Sequence, residues 1–542
     1  MTRTTITITG LLLFAAALAG CTSGSAPRSS GAMEASGSDS AAQSPKGAES
    51  RRYVAADMEL APMSPPAAKC EAPAEGESPD VDEVASSEQF TDYGVRPFVD
   101  ASEDNLSTFS IDVDTGSYTI SRRLLREGTL PPASSVRVEE FVNYFRQRYE
   151  GPKEGAFVVH SEAAASPFRA GKVLLRVGLQ GRRLDHRTRK PANLVFLIDT
   201  SGSMQSRDKI GLLKRSLSVL VENLSPQDHV SICTYAGSVR KILDPTSAGE
   251  RGTILRALSR LRAGGSTAMA SGVDLAYRLA AAQAGPGVTT RVIVCSDGDA
   301  NVGATSHEEI LKLIHARREA GISLGTVGFG MGNYKDTMME QLANRGNGTY
   351  AYVDTIEEAN RIFGEELVSN LETIARDVKL QVAFDPARVR RYRLLGYENR
   401  AIHDDDFRRD EVDAGEVGAG HSVTALYELE LVEGSAGALG EVRLRHKPGQ
   451  RLSVADERAT EARFALTGAV ASGFPQASQR FRFVSCVAEF AEVLRKSPHT
   501  RTRLRELAEL TEASLDPKHD DREHEFLRMI KRASFLAGRS GA

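Results

Sequence analysis

Between residues 191 and 370 the chain alternates short apolar runs with amphipathic stretches. The runs at 193–198, 229–235, 239–243, 291–295, 323–327 and 348–353 are rich in Val, Ile and Leu, as strands buried on both faces are. The stretches between them carry apolar residues at helical spacing. Ile210, Leu213, Leu217, Leu220 and Leu224 form one stripe, and Ile254, Leu255, Leu258 and Leu261 a second. Val273, Ala276, Leu279 and Ala280 form a third. Ser306 with Glu309, and Thr355 with Glu358, have the spacing of capping boxes at two helix starts. Strands alternating with helices predict an α/β fold with a doubly wound, mostly parallel sheet.

On either side the period changes. Val378, Leu380, Val382 and Phe384 alternate with polar residues, as do Val423, Ala425, Tyr427, Leu429 and Leu431, followed by Val442 and Leu444. A period of two indicates half-buried antiparallel strands. Ahead of the α/β stretch, strand-like runs stand at 106–113, 157–159 and 173–177, with helices expected at 117–126 and 136–149. Neither flank has enough strands for a sandwich of its own. The expectation is therefore one β-sandwich built from both flanks, with the α/β domain inserted. Residues 456–542 read as helices, through Phe483, Val487, Phe490 and Leu494, then Leu504, Leu507 and Leu510, then Phe526, Leu527, Ile530 and Leu536. The acidic, His-bearing segment 516–525 between them is expected to be a solvated connection.

A length of 542 residues exceeds what one hydrophobic core holds, which is roughly 250–300 residues. The divisions expected are 1–20 as a signal peptide, 21–89 as a tether, 90–190 as an N-terminal domain, 191–370 as the α/β domain, 371–455 as sandwich and 456–542 as helices. Residues 22–88 are rich in Ser, Ala, Gly and Pro and bury too little apolar surface to offset chain entropy. A net charge of −4 offers no basic surplus for nucleic acid or anionic lipid head groups.

The N-terminus reads as an address. After Arg3, an apolar stretch at 6–19 is too short to span a bilayer and fits a secretory signal. It ends in Leu18-Ala19-Gly20-Cys21, which resembles a bacterial lipobox. That resemblance implies cleavage before Cys21, lipid on its thiol and anchoring in the bacterial cell envelope. Thr22 after the cysteine points to the outer membrane under sorting rules of enteric type. The chain has 5 cysteines, scattered rather than paired in a framework. Cys70 lies in the tether, and Cys233, Cys295 and Cys486 in apolar runs, as small buried hydrophobes do.

The chemistry concentrates in Leu197-Ile198-Asp199-Thr200-Ser201-Gly202-Ser203-Met204. An apolar strand delivers Asp199 to the carboxyl edge of the sheet, where doubly wound folds bind ligands. Ser201 and Ser203 follow in the turn. Two more oxygens come from neighbouring loops: Thr267 in Gly264-Gly265-Ser266-Thr267, and Asp297 at the end of the apolar run 292–295. Carboxylates and hydroxyls are hard donors, suited to Mg²⁺, and also to Mn²⁺ or Ca²⁺, rather than to zinc or copper.

The set Asp199, Ser201, Ser203, Thr267 and Asp297 resembles the metal-ion-dependent adhesion site of von Willebrand factor type A domains, whose pattern is Asp-x-Ser-x-Ser, a distant Thr and a distant Asp. The segments 106–115, 130–132, 328–334, 346–350 and 418–427 extend the likeness to a bacterial family of type A domain lipoproteins. The resemblance implies a cation incompletely coordinated by the protein, with an Asp or Glu from a protein partner completing the shell. It also implies a switching role for Thr267 and for the helix after Thr355. The family's strand order would put Cys233 and Cys295 two strand spacings apart, roughly 9–10 Å, too far for a disulfide.

Enzyme chemistry finds little support. Asp114-Thr115-Gly116-Ser117 is a single copy of a motif that aspartic proteases need twice; a second cation site at Asp112 and Asp114 ranks ahead of a protease, and a strand-to-helix turn with a capping Asp ranks ahead of both. No glycine-rich Lys loop and no Gly-x-Ser-x-Gly elbow occurs. The function expected is that of a binding protein, with a non-adhesive assembly or scaffold factor as the alternative and a hydrolase behind it.

Overall fold

The computed structural model describes residue 88 and residues 90–540, apart from 112–113, 186, 266–268, 299–303, 331–333, 413, 450–457 and 517–520. The signal, Cys21, Cys70, Thr267 and the tether apart from Glu88 lie outside the described residues; Glu88, expected in the tether, pairs with Arg123 at 2.8 Å. The chain opens with β1 (Val99–Asp100), β2 (Leu106–Ser110), α1 (Gly116–Glu127), α2 (Val138–Tyr144), β3 (Phe157–Ala165) and β4 (Val173–Gly181). The helix expected to reach 149 ends at Tyr144, where Phe145 turns extended. That turn puts the Phe145 ring against Phe483 and Phe526, with centroids 5.0 and 5.5 Å away, and burying a large aromatic outweighs one more helical turn.

The α/β region follows as β5 (Ala192–Asp199), α3 (Leu212–Asn223), β6 (His229–Tyr235), β7 (Arg240–Ser247), α4 (Arg251–Arg260), α5 (Met269–Ala281), β8 (Thr289–Ser296), α6 (Ala304–Glu319), β9 (Ser323–Phe329), α7 (Asp336–Arg345), β10 (Tyr350–Val353) and α8 (Ile356–Asn360). Its strands lie in the order β10-β9-β8-β5-β6-β7, parallel except for β7. β5 is buried along its whole length, which is why its sequence is apolar without alternation. Leu213, Leu217 and Leu220 pack one face of the sheet against Phe196, Ile198 and Ile232. Val273, Ala276 and Ala280 pack the other against Val195, Leu197 and Val294. With β5 between β6 and β8, Cys233 and Cys295 stand apart as free buried thiols.

Both expected capping boxes are modified. α6 begins at Ala304, so Ser306 lies inside its first turn rather than ahead of it. Thr355 does cap α8, its hydroxyl accepting the Glu358 N–H at 3.2 Å. The Glu358 carboxylate accepts instead from Arg122 and Tyr144, each at 2.9 Å, and from Arg361 at 2.8 Å. Charge-assisted bonds in a buried setting outcompete the return bond of a cap.

The chain continues through α9 (Leu367–Leu371), β11 (Thr373–Phe384), β12 (Val389–Leu395), β13 (Gly415–Gly418), β14 (Ser422–Leu431), β15 (Gly440–Pro448), β16 (Thr460–Ala465) and β17 (Val470–Ala471). One sheet runs β1-β12-β14-β4-β3-β17; the other runs β13-β11-β15-β16, with β2 also on β11. Each sheet thus mixes strands from before and after the α/β region, and the sandwich is built from both flanks. Phe109, Leu175, Val177, Val382, Phe384, Tyr427 and Leu444 share the core between the sheets. The two ends of the insertion meet, the Lys190 N–H reaching the Glu372 carboxylate at 3.3 Å.

The stretch expected to be helical from 456 begins instead with strands, β16 pairing with β15 and β17 with β3, because Phe464 and Val470 pack on the sandwich core. Among the described residues three helices follow, α10 (Gln479–Leu494), α11 (Leu504–Glu512) and α12 (Asp521–Ser540). They pack with α2 around Phe141, Phe145, Phe483, Phe490, Phe526 and Ile530. The connection expected to be solvated is not so throughout. Asp516 and Glu523 are buried; Arg148 pairs with Asp516, and Arg480 with Glu523 at 2.8 Å. Guanidinium partners from distant segments offset the cost of that burial, and nothing in the local sequence announces them.

Candidate metal centre

Asp199 is the last residue of β5 and is fully buried. The turn after it is tied to β6, since the Thr200 N–H and hydroxyl donate to the Tyr235 carbonyl at 3.0 and 3.2 Å. One Asp199 oxygen, Oδ1, accepts the Ser201 N–H at 2.8 Å. The other, Oδ2, accepts the hydroxyls of Tyr235 at 3.1 Å and Ser296 at 2.9 Å. A short 3-10 turn, Gly202–Gln205, carries Ser203 and sinks Met204 into the core. Ser201 Oγ and Ser203 Oγ approach to 2.9 Å, so residues two apart aim at one spot.

Asp297 follows β8 directly and is buried. Its turn is held by the Gly298 N–H, which donates to Ser296 Oγ at 3.0 Å. Gly298 has φ 77°, and a Cβ there would stand 2.7 Å from the Lys335 nitrogen, so only glycine fits. On the other side, the Gly264 N–H donates to the Thr200 carbonyl at 2.7 Å and the Gly202 N–H to the Gly265 carbonyl at 3.2 Å. The glycine loop that leads to Thr267 is therefore bonded to the serine turn. The structure brings Asp199, Ser201, Ser203 and Asp297 to one sheet edge; Thr267 itself is outside the described residues.

Burial pushes the Asp199 carboxyl above its usual range, and the negative charge of Asp297 adds to that, against the hydrogen bonds from Ser201 and Ser296. Two buried carboxylates this close, with hydroxyls beside them, form a donor set that fits a hard divalent cation. Ser201 and Ser203 are suited to hold it directly. Asp199 Oδ2 already accepts two hydroxyls, which suits it to act through water.

Three contributors escaped the reading of the sequence. Tyr235 and Ser296 orient Asp199. Lys209 donates from Nζ to Asp297 Oδ2 at 3.0 Å. A signal for Lys209 exists: it stands four residues before Leu213, in phase with the buried stripe of α3, where an exposed lysine is not expected.

Among the described residues, carboxylate oxygens of Asp114, Glu140 and Glu340 also converge. Here guanidiniums supply the positive charge: Arg400 pairs with Asp114 at 2.6 Å and Glu340 at 2.9 Å, and Arg137 with Glu140 and with Asp336 at 2.7 Å. Asp114 also accepts the Tyr350 N–H at 3.0 Å. It does not cap α1, contrary to expectation; the N-cap is Thr115, without a side-chain bond. The pull of Arg400 and of the β10 backbone takes the carboxylate away from the helix end. Asp112 lies outside the described residues.

Comparison with known proteins agrees with this architecture. Residues 193–365 match the von Willebrand factor type A domain, 84–176 the family described as von Willebrand factor, and 369–536 the C-terminal region of uncharacterized protein YfbK. The uncharacterized protein YfbK of Escherichia coli (strain K12) is 36% identical over 472 residues, covering 83% of this chain and 81% of that protein. The inter-alpha-trypsin inhibitor heavy chain H4 of Bos taurus is 26% identical, covering 36% of this chain and 22% of its own length. A solved structure described as von Willebrand factor type A from Catenulispora acidiphila is similar over 73% of this chain and 89% of its own, at 18% identity and a TM-score of 0.40.

Proposed function

Since the chain belongs to the family of the Escherichia coli protein YfbK and carries a von Willebrand factor type A domain, we propose that it is an envelope-anchored binding protein that engages an acidic side chain of a protein partner through a divalent cation. The type A domain assigns protein interaction as the class of function. The finer reading assigns the cation, Mg²⁺ first, to Asp199, Ser201, Ser203, Thr267 and Asp297. The observation that carries it is the buried pair Asp199 and Asp297 beside two serine hydroxyls 2.9 Å apart. When bound, the cation supplies a positive centre for an incoming carboxylate. Asp199, clamped by Ser201, Tyr235 and Ser296, holds its charge in one orientation. Ser201 and Ser203 contribute neutral donors, which add no charge to the two that Asp199 and Asp297 bring.

Anchoring rests on the lipobox-like Leu18-Ala19-Gly20-Cys21. Lipid on Cys21 would hold the protein at the outer membrane, with the segment 22–88 as tether.

Calorimetry with Mn²⁺ and Mg²⁺ tests the site. Asp199→Asn, which keeps an acceptor for Tyr235 and Ser296, should lose affinity by about a hundredfold or more while the melting temperature of the ion-free protein changes little. A partner recovered from envelope extract in Mg²⁺, and absent with chelator or with the Asp199→Asn variant, completes the expected result. Unaltered ion affinity in Asp199→Asn would remove the assignment.

A further inference from the structure

Lys209 sits in a single π turn, Arg207–Gly211, just ahead of α3. It is only 7% exposed. Its stem lies against the backbone of Gly330, where a Cβ would stand 2.2 Å from Lys209 Cγ. Gly330 has φ 84°, and the Tyr352 hydroxyl donates to its carbonyl. The stem thus runs along a path that only a glycine leaves open, and the ammonium arrives at Asp297 Oδ2, 3.0 Å away. A surface lysine samples many rotamers; this one is delivered to a chosen carboxylate.

The consequence is a matter of charge. Asp199 and Asp297 bring two negative charges, and the serine hydroxyls bring none. A divalent cation would neutralise the two carboxylates and leave no electrostatic demand for a third. Lys209 changes that sum. Among the described side chains of the centre, the ammonium on Asp297 adds one positive charge to that sum, which a single incoming carboxylate would balance.

The geometry points to Lys209 as the residue that sets the residual charge of this centre, loosening its hold on the bare cation and reserving the surplus for one acidic group from a partner. The inference rests on the divalent-cation reading above and deepens it. It makes Lys209 a positioning residue that acts through Asp297. It also makes cation and partner binding mutually reinforcing, because each relieves the charge left by the other.

The test is isothermal calorimetry of the full chain with Mn²⁺ alone, repeated with Mg²⁺, on the wild type, Lys209→Met, Lys209→Arg and Asp199→Asn. Methionine keeps the stem beside Gly330 and removes the charge. Lys209→Met should bind the bare ion on the order of tenfold or more tightly than the wild type, and Lys209→Arg should return the affinity towards the wild-type value. A damaged fold would weaken uptake, so a gain cannot come from a structural lesion. If wild type binds Mn²⁺, Asp199→Asn does not, and Lys209→Met binds no more tightly than wild type, the charge-setting role is overturned and the metal site stands. If the wild type takes up neither ion, both readings fall.

Discussion

Glu139 on α2 shows what burial does to one carboxyl. Its Oε2 accepts the Tyr397 N–H at 2.9 Å, yet burial and the charges of Glu398 and Glu140 hold its pKa up at about 7. In the unfolded chain a glutamate titrates near pH ~4.3. Between the two values the folded state keeps a proton that the unfolded state releases. This contribution to stability is therefore complete below the unfolded pKa and is lost as pH rises through about 7. Melting temperature should fall from about pH 5 to about pH 8, with Glu139 accounting for a few kcal/mol at most, at about 1.4 kcal/mol per pKa unit. Glu139→Gln should flatten that slope and raise the melting temperature at pH 8. An identical slope in the glutamine variant would assign the effect to another group.

Elements are joined here by buried charges as much as by apolar contact. Arg122 of α1 is 2% exposed and pairs with Asp354 after β10, with Glu358 of α8 at 2.9 Å and with Glu525 of α12 at 3.2 Å. Its guanidinium also donates to the Tyr144 hydroxyl at 2.7 Å. One side chain thereby binds the N-terminal helix, the last helix of the α/β region and the C-terminal helix. Removing a buried partner leaves uncompensated carboxylates and costs about 3–5 kcal/mol. Arg122→Ala should lower the melting temperature by several degrees, and Arg122→Lys should recover only part of it, since a point charge cannot serve three acceptors in a fork. A loss within experimental error would show that these elements are held by packing alone. Periodicity revealed α1 and α12 in the sequence, and capping-box spacing revealed the start of α8, because helices are local. It could not reveal that Arg122 meets residues 232, 236 and 403 positions away. The same limit explains why Glu358 looked like half of a capping box and Asp114 like a cap.

For the whole molecule, the insertion governs what folds with what. β14 pairs with β4 from Ser422 against Gln180 to Leu429 against Val173, across the entire α/β region. Replacing residues 191–371 with a short Gly-Ser linker should leave a soluble β-rich protein that melts cooperatively, because Lys190 and Glu372 already touch. Residues 371–542 expressed without the N-terminal flank should not fold, since β14 would lose its neighbour and expose a long edge. Circular dichroism and thermal melting of the two proteins check both outcomes. Cooperative melting of 371–542 alone would mean that the sandwich does not depend on its first half.

The sequence by itself determined the main strands and helices of the α/β region, the α/β class, the break in period at the flanks, and the delivery of Asp199 and Asp297 to strand ends. These follow from short-range rules: side-chain period reports burial, and an apolar run that stops at an acid stops at a sheet edge. Only the tertiary structure decided that Tyr235 and Ser296 clamp Asp199, that Lys209 answers Asp297, that Asp516 and Glu523 are buried, and that Phe145 leaves its helix. Each of these turns on which distant groups share a low-dielectric space. Spacing along a chain carries no record of such partners, whereas their distances decide whether a buried charge is tolerated.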